Sequence, residues 1–481
     1  MSIPPKPPGR QGEVSLWRLA RMLRRDILSA LPERLYRARM AEFRMPFLRS
    51  YLVNEPGLAQ LVLRERPERF PRSSRVAAGL EPLLGASVFC TDGDRWKRQR
   101  RIVDKALDRG QIEASLPALQ AASDAAVRRL LCREGEAVDI EAEASHAAAD
   151  AIFRTMFSLP IEDALAREVF DAFRCYQRCQ PVLRPLALLP LPGWVPRPDQ
   201  RRARAAASRI RALIGGLIGT RLLEIDAGYA PDDLGTRMLS ASHAAAGSAD
   251  SASEMIDQVA TFFLACHETS ASALAWALYL MAEHPEWQAR LVAEAAASSG
   301  VGLRSVGRLR IARAVFRETL RLYPPVPMML REACHSETLR GRHVPRGSQI
   351  VISPRLLHRH ERFWTDPDGF DPSRWLAQNV AATRCREGQD AYMPFGLGPR
   401  TCPGTGFAMV EGPLMLSAIL GAVELQPLQG RRPMPVAHLT LRARDGIHLR
   451  LSRRRGLSAA NMYQHPDSCS IKQPSGISAM E

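Results

Sequence analysis

A cysteine near the C-terminal end of the chain lies in a segment suited to a metal-binding thiolate. Cys402 belongs to the run FGLGPRTCPG, which extends from Phe395 to Gly404 and leads into a predicted helix. A thiolate is a soft, electron-rich ligand that can bind a haem iron and direct electron density toward bound dioxygen, which favours cleavage of the O–O bond. Because a free thiol has a pKa of about 8.5, the segment must lower the pKa of Cys402.

Three features of this segment can lower that pKa. A bound iron stabilises the thiolate directly, and the helix that begins after Cys402 directs its positive N-terminal end toward the sulfur. Glycines allow backbone amides to approach the sulfur and donate hydrogen bonds to it, and the segment contains Gly396, Gly398 and Gly404. The alternative interpretation is an inert, buried cysteine beside a glycine-rich turn.

A second group of candidate residues lies in a long helix predicted over residues 251–281. This helix would be about 45 Å long at 1.5 Å per residue, and it is apolar on nearly every side, which predicts burial. Ala265 and Thr269 share one face, and Glu268 follows Ala265 by about one turn. A buried acid and hydroxyl cost free energy unless they serve a function. The alternative for Thr269 is a hydroxyl bonded back to the helix backbone.

A charged pair lies on another predicted helix, over residues 311–322. Glu318 and Arg321 are three positions apart, so they share a face. Such a pair is usually a surface ion pair that contributes little to stability.

The elements that must position these residues are mostly helices. Helical spacing of apolar residues predicts an amphipathic helix pair within residues 11–45 and further helices over 96–107, 112–132, 144–157 and 403–423. Short strands are expected at residues 51–53 and 349–353. Six prolines predict a loop over residues 181–198, and the polar, patternless residues from 458 onward predict a disordered tail. The fold class is therefore mainly α.

Composition narrows the class of protein further. The 481-residue chain is 46% hydrophobic and 24% charged, as in soluble globular proteins. Its formal net charge of +16 comes from arginines spread along the whole chain, which indicates solvated helix faces more than a nucleic-acid site. Nine scattered cysteines form no disulfide framework and no paired zinc motif, so we expect a reducing, cytoplasmic location. We find no apolar run that predicts a signal peptide or a transmembrane anchor.

The cysteine segment resembles the haem-binding signature of cytochromes P450. The signature is Phe, two residues, Gly, one residue, Arg, one residue, Cys, one residue, Gly, and every fixed place is filled, by Phe395, Gly398, Arg400, Cys402 and Gly404. The continuation through Ala408 is also similar to the family. The resemblance implies a helical prism with small β-sheets around one buried haem b, with Cys402 as axial thiolate ligand. Phe395, Gly396, Gly404 and Ala408 would then lie against the cofactor.

The resemblance extends to the other candidate residues. The segment from Ala265 to Thr269 is similar to the oxygen-activating stretch of the family, which implies that Ala265 lies near the haem and that Glu268 and Thr269 relay protons. Cys266 stands where the family usually has glycine, and its side chain could narrow the oxygen groove or alter a helix bulge. Glu318 and Arg321 resemble a pair that a later arginine, here Arg374, completes as a buried structural triad.

The resemblance also implies residues for the haem propionates and for the substrate. Trp96 and Arg100, Arg400 and Arg331 would form a clamp for the propionate carboxylates. The expected substrate-facing residues are all apolar, which suits a hydrophobic small molecule; they are Phe262, Phe263, Val326, Met328 and Met329.

The function that the resemblance implies is a monooxygenase. It would insert one atom of O2 into a terpenoid, with a diterpenoid as one expectation, or into a fatty-acid-like molecule. A separate ferredoxin or flavodoxin would supply electrons at a basic face that includes Lys97, Arg98 and Arg101. We expect a monomer with a single catalytic domain over residues 1–457, a Pro/Arg-rich segment over residues 1–30, and no nucleic-acid partner. The rivals are a haem-thiolate isomerase or peroxygenase, and a non-catalytic haem sensor or carrier.

Overall fold

A computed structural model describes residues 3–12, 14–15, 18–19, 21–22, 26–45, 48–179, 198–245, 249–298, 302–376, 390–437 and 439–454. Helices dominate these residues and the strands are short, which confirms the mainly α prediction. Nearly all of the predicted proline-rich loop (residues 181–198) and the whole predicted tail (from residue 458) lie outside the described residues.

The helices of the described residues are labelled α1 to α16 in chain order. They are α1 Ile27–Ala30, α2 Pro56–Gln60, α3 Ser74–Leu84, α4 Gly93–Ala106, α5 Arg109–Ala114, α6 Leu116–Leu131, α7 Ile140–Phe157, α8 Ala164–Cys179, α9 Pro198–Asp226, α10 Leu234–Ala245, α11 Ala249–Glu283, α12 Pro285–Ala297, α13 Leu303–Arg308, α14 Arg310–Leu322, α15 Pro354–Leu357 and α16 Thr405–Ala422. A π-helical turn, Leu61–Glu65, follows α2.

The strands form small sheets at the periphery of the helices. They are β1 Met40–Met45, β2 Leu48–Val53, β3 Ala137–Asp139, β4 Met329–Glu332, β5 Glu337–Leu339, β6 Arg342–Val344, β7 Gln349–Ile352, β8 Val423–Pro427, β9 Pro435–Ala437, β10 Leu441–Ala443 and β11 His448–Arg453. Among the described residues, one sheet has the order β1-β2-β7-β4 and another the order β3-β11-β8, while β5–β6 and β9–β10 are hairpins. Strands β2 and β7 pair in parallel, with Ser50 opposite Gln349.

The helix pair predicted within residues 11–45 is wrong. The helix α1 is only four residues long, and Met40–Met45 is strand β1, which pairs antiparallel with β2. A short run of alternating apolar and basic residues fits either a helix or a strand. The hydrogen-bonded ladder with β2 decides between them, because strand formation depends on partners that local sequence does not reveal.

The long central helix α11 is buried along most of its length, as its apolar composition predicted. Val259 to Leu264 and Ala273 to Ala282 are almost inaccessible to solvent. The indole of Trp276 stacks on the ring of Tyr323, with centroids 4.0 Å apart and an interplanar angle of 12°. This contact joins α11 to the end of α14, so the two helices that carry candidate site residues are packed directly against each other.

A buried ion network joins α14 to the segment that follows α15. Arg321 donates two hydrogen bonds to the Glu318 carboxylate, from Nε to Oε2 at 2.9 Å and from Nη2 to Oε1 at 2.8 Å. Arg374 Nε donates to the same Oε1 at 3.3 Å. Arg321 also donates to the carbonyl oxygens of Pro367 and Gly369, each at 2.6 Å. The network therefore fastens a long irregular segment to a helix.

The charge of Glu318 is maintained against its burial. Burial acts to raise the pKa of this carboxyl, but Arg321, Arg374 and the backbone N–H of Asp371 favour the carboxylate more strongly, so its pKa is lowered. The network stabilises the fold only while Glu318 is ionised.

We expect Glu318→Gln to lower the free energy of unfolding by about 3–5 kcal/mol, because it leaves two buried guanidiniums without their anion. Urea unfolding at neutral pH measures the change. The matched control is Glu361→Gln, which breaks a solvent-exposed pair with Arg37 and should cost less than about 1 kcal/mol.

The same loss should depend on pH. Since the pKa of Glu318 is lower in the folded state, its contribution is fully present above the unfolded pKa of about 4.3 and is lost as pH falls through the folded pKa. Wild type and Glu318→Gln should therefore converge in stability in acid. Equal losses in Glu318→Gln and Glu361→Gln at neutral pH would contradict the assignment.

Candidate active site

The segment that carries Cys402 forms a tight loop immediately before α16. Gly396 and Gly398 have φ angles of +75° and +74°, a left-handed conformation that other residues rarely adopt. A Cβ atom at Gly398 would lie 2.1 Å from the carbonyl oxygen of Leu63. The loop closes with a hydrogen bond from Cys402 N to Phe395 O at 2.9 Å. Both glycines are therefore required by the backbone path that presents Cys402.

Gly404 contributes in a different way. It precedes α16 with an ordinary φ of −78°, and a Cβ there would lie 3.7 Å from Cys402 Sγ, which is normal contact. Its backbone N–H donates a hydrogen bond that favours the thiolate of Cys402. The predicted approach of an amide to the sulfur is thus made at Gly404, and it needs no left-handed backbone.

The protein alone keeps Cys402 close to the balance between thiol and thiolate. Burial raises its pKa, while the Gly404 N–H, Arg100 and Arg72 act in the opposite direction without outweighing burial. A metal ion is the strongest local charge that a site can add, and a coordinating thiol is deprotonated outright. The residues around the sulfur thus suit a group that brings its own positive charge.

Beside the cysteine loop lies a group of buried arginines. Arg72 and Arg331 meet in an antiparallel bridge, and both repel Arg400. Burial, Arg331 and Arg400 lower the pKa of Arg72 to about 9, and burial and Arg400 lower that of Arg331 to about 10. The backbone oxygen of Phe89 accepts a hydrogen bond from Arg72 Nη1 at 2.8 Å, but Arg72 Nε has no partner among the described residues.

This arginine cluster fits the haem that the sequence resemblance implies. Clustered buried cations are unfavourable unless anions join them, and the two propionates of a haem would supply two carboxylates. Arg400 already pairs with Asp92 and stacks over Trp96 at 4.5 Å from the ring centroid. Arg72 and Arg331 thus remain as the guanidiniums with most need of an added anion.

Two of the predicted propionate residues are engaged with the protein itself. Arg100 donates from Nη1 to the carbonyl oxygen of Thr401 at 2.7 Å and pairs with Asp104 at 2.7 Å. It therefore braces the cysteine loop from α4. Trp96 packs on Arg400, so its contribution is to orient that guanidinium.

The residues of the predicted oxygen-activating stretch face two sides of α11. The Thr269 hydroxyl donates to Ala265 O at 2.6 Å, and α11 continues as helix through Cys266 without a break. Glu268 is only 5% exposed and turns toward β10, where Thr440 Oγ1 donates to its Oε2 at 3.2 Å. Burial raises the pKa of Glu268 and, more strongly, that of Cys266. Glu268 and Thr269 are sequence neighbours with separate surroundings.

The predicted substrate-facing residues are also divided. The Phe263 ring packs in the core between Phe153 and Phe173, at centroid distances of 4.4 and 4.9 Å. Neighbouring helix positions point about 100° apart, so Phe262 and Phe263 cannot share one face. Met329 lies in β4 with its sulfur near Gly396, beside the cysteine loop. Phe262 is buried, Met328 is partly buried and Val326 is 36% exposed.

Sequence reasoning missed Arg72, Thr440 and Arg442. Each is one residue among many similar ones in an Arg-rich chain, and no motif distinguishes it. Only folding brings Arg72 to Arg331 and brings β10 to Glu268. A further buried acid, Glu411 of α16, accepts a hydrogen bond from Ser270 at 2.5 Å, and burial raises its pKa to about 7.

One helix of the described residues, α16, has the length and mean hydropathy to cross a membrane, and half of that stretch is buried inside the protein. It follows the cysteine loop directly, and Leu416, Ile419 and Leu420 belong to the main core. Its apolar character is accounted for by this packing.

Comparison with protein families matches cytochrome P450 over residues 35–449. The chain is 32% identical over 412 residues to "Cyclooctatin synthase" of Streptomyces melanosporofaciens, covering 81% of this chain and 84% of that protein. It is 31% identical over 400 residues to "Cyclooctat-9-en-7-ol 5-monooxygenase" of the same organism, covering 81% and 83%. The solved heme domain of cytochrome P450DA superposes with a TM-score of 0.76 at 24% identity, covering 94% of this chain and 98% of that one.

We expect Arg72→Gln to weaken haem retention, because one charge-assisted contact to a propionate contributes about 1.5–3 kcal/mol. The rate of haem transfer to an apo-globin acceptor should rise roughly tenfold or more. The control is Arg98→Gln on the exposed side of α4, which should keep the wild-type rate. Identical rates in all three proteins would remove Arg72 from the cofactor site.

Proposed function

Since this chain belongs to the cytochrome P450 family and is a monooxygenase of that family, we propose that it inserts one atom of dioxygen into a terpenoid, with Cys402 as the axial ligand of its haem. The observation that carries this proposal is the cysteine loop beside the buried guanidiniums of Arg72 and Arg331. The loop offers a sulfur ligand, and the guanidiniums offer cationic partners for two propionates. Haem with a thiolate ligand supplies the activation of dioxygen.

The residues of the chain would have separate tasks around that group. The Gly404 N–H hydrogen-bonds the sulfur of Cys402 and limits how much electron density the sulfur donates. The Thr269 hydroxyl holds a proton at Oγ1 on the pocket side of α11, and Glu268 replaces that proton from the other side. The buried, apolar length of α11 excludes bulk water from this turn, so protons arrive only through these two groups.

The proposed substrate class is terpenoid, with a diterpenoid first. The relatives named above carry product or substrate names of the cyclooctatin series, and a plant relative, 30% identical over 373 residues, is named "11-oxo-beta-amyrin 30-oxidase". Apolar Phe262 and Met328 suit a hydrocarbon framework that makes few hydrogen bonds. A fatty-acid-like substrate is the second candidate on the same apolar grounds.

The family implies a redox partner. We propose a separate acidic ferredoxin or flavodoxin that docks on α4, where Lys97, Arg98 and Arg101 are exposed. Complementary charge increases the rate of such an encounter and makes it sensitive to salt. We further propose one catalytic domain over residues 1–457, acting as a monomer in the cytoplasm.

A binding screen tests the substrate class. Titration of the haem-loaded protein with diterpenes, other terpenoids and fatty acids should shift its Soret band with a terpenoid, and turnover with a ferredoxin and its reductase should then give a product that is one oxygen atom heavier. A shift with fatty acids alone would replace the terpenoid proposal by its alternative. Product formation driven by peroxide alone, and not by the reductase, would favour a peroxygenase.

We expect Cys402→Ser to abolish the red-shifted Soret band of the reduced carbon monoxide complex, because a serine hydroxyl does not replace a thiolate ligand. Absorption spectra of the reduced, carbon monoxide-treated proteins measure the effect. Cys90→Ser, a partly buried cysteine elsewhere, is the control and should keep the band. Survival of the band in Cys402→Ser would rule out this ligand.

We expect Thr269→Ala to divert electrons from product to peroxide, because the pocket loses the hydroxyl that holds the delivered proton. Thr269→Ser keeps a hydroxyl at this position and should restore most of the coupling. The ratio of product formed to reductant consumed measures the effect. Unchanged coupling in Thr269→Ala would remove Thr269 from the proton relay.

A further inference from the structure

Glu268 faces a group of polar side chains on the side of α11 that looks toward β10. We call this group the hairpin cluster and define it as Glu268, Thr440, Arg442, Gln177 and Glu141. In addition to the hydrogen bond from Thr440, Glu268 Oε1 lies 3.8 Å from Arg442 Nη2. Arg442 Nη2 also donates to Gln177 Oε1 of α8 at 2.8 Å. Helix α11, helix α8 and the β9–β10 hairpin therefore meet at one polar point.

The hairpin is fixed in position relative to α11. Leu441 N donates to the carbonyl oxygen of Pro325 at 2.8 Å, and the Ser272 hydroxyl donates to Leu441 O. Alternate residues of a strand lie on the same side, so Thr440 and Arg442 are presented together to Glu268. The contact with Pro325 also ties the hairpin to the turn that contains the candidate substrate residues.

The hairpin cluster reaches from the interior to the surface. The side chain of Glu268 is 4% exposed, whereas that of Arg442 is 36% exposed. Glu141 of α7 lies on the same path, since its Oε1 accepts a hydrogen bond from Ala443 N at 3.4 Å. Water at Arg442 can therefore exchange protons with groups that contact Glu268.

Two opposing influences act on the Glu268 carboxyl. Burial favours the protonated form, and Arg442, Thr440 and Gln177 favour the carboxylate. The other ionisable groups packed around it, His267 of α11 and Arg174 of α8, do not contact the carboxyl. A group with access to both forms is suited to take and release protons.

We propose that Thr440 and Arg442 are positioning residues that hold Glu268 on the hairpin side of α11 and connect it to solvent, so that Glu268 collects its protons there. This inference rests on the proposed function of Thr269. In one cycle Glu268 gives a proton to Thr269 Oγ1, the Thr269 hydroxyl proton moves into the pocket, and the Glu268 carboxylate regains a proton from water at Arg442. The transfer needs no further reactant.

Difference infrared spectroscopy of the ferric, haem-loaded protein without substrate tests the inference. The C=O stretch of protonated Glu268 is the carboxylic band that disappears in Glu268→Gln. Its amplitude is followed against pH in the wild type and in Arg442→Gln, Arg442→Lys, Thr440→Val and Arg444→Gln. Arg444 is exposed and directly follows β10, so its variant removes the same charge from the same hairpin without touching the cluster.

We expect the pH midpoint of the band to rise by roughly one unit in Arg442→Gln, because a neighbouring cation favours the carboxylate. Thr440→Val should raise it less, Arg442→Lys should restore it, and Arg444→Gln should leave it unchanged. An equal shift in Arg442→Gln and Arg444→Gln, or a shift in neither, would overturn the inference. A band that persists at every pH in both wild type and Arg442→Gln would also overturn it, since Glu268 would never be an anion.

The infrared result and the proposed function can fail separately. If the midpoint shifts as expected but no substrate is oxygenated, the positioning stands and the function fails. If product forms normally and the midpoint does not respond to Arg442, the function stands and the positioning fails.

Discussion

Burial of a sulfur that must carry negative charge is the constraint on which the other features depend. Burial raises the pKa of Cys402, and the backbone amide of Gly404 and the nearby arginines only partly oppose it. A thiolate at this position thus needs a positive group bound directly to the sulfur. The glycine loop meets the geometric side of this requirement, because the left-handed conformations of Gly396 and Gly398 and the contact with Leu63 leave one path for the chain.

The remaining charges of the interior divide into two kinds. The Glu318 network is complete within the protein, since each guanidinium has a carboxylate or carbonyl partner, and it stabilises the segment that leads toward the cysteine loop. The Arg72 and Arg331 pair is incomplete, and its repulsion is a cost unless anions are added. Completed charge networks indicate structure, while uncompensated buried charge indicates a ligand.

Some of this arrangement could be predicted from the sequence because it is local. The cysteine loop is ten consecutive residues, and the burial of α11 follows from its composition. Phe263 could not be placed correctly, because a one-residue step around a helix separates a core contact with Phe173 from a pocket. Strand β1 was taken for helix because its partner β2 decides its conformation. Arg72 and Arg442 act with residues more than 170 positions away, and nothing in a single sequence connects such positions.

The bond between iron and sulfur can be measured directly by X-ray absorption at the iron edge of the ferric, haem-loaded protein. We expect one sulfur neighbour at bonding distance together with the four porphyrin nitrogens. A first shell made only of nitrogen and oxygen atoms would contradict the proposed ligand, and with it the role given to the glycine loop.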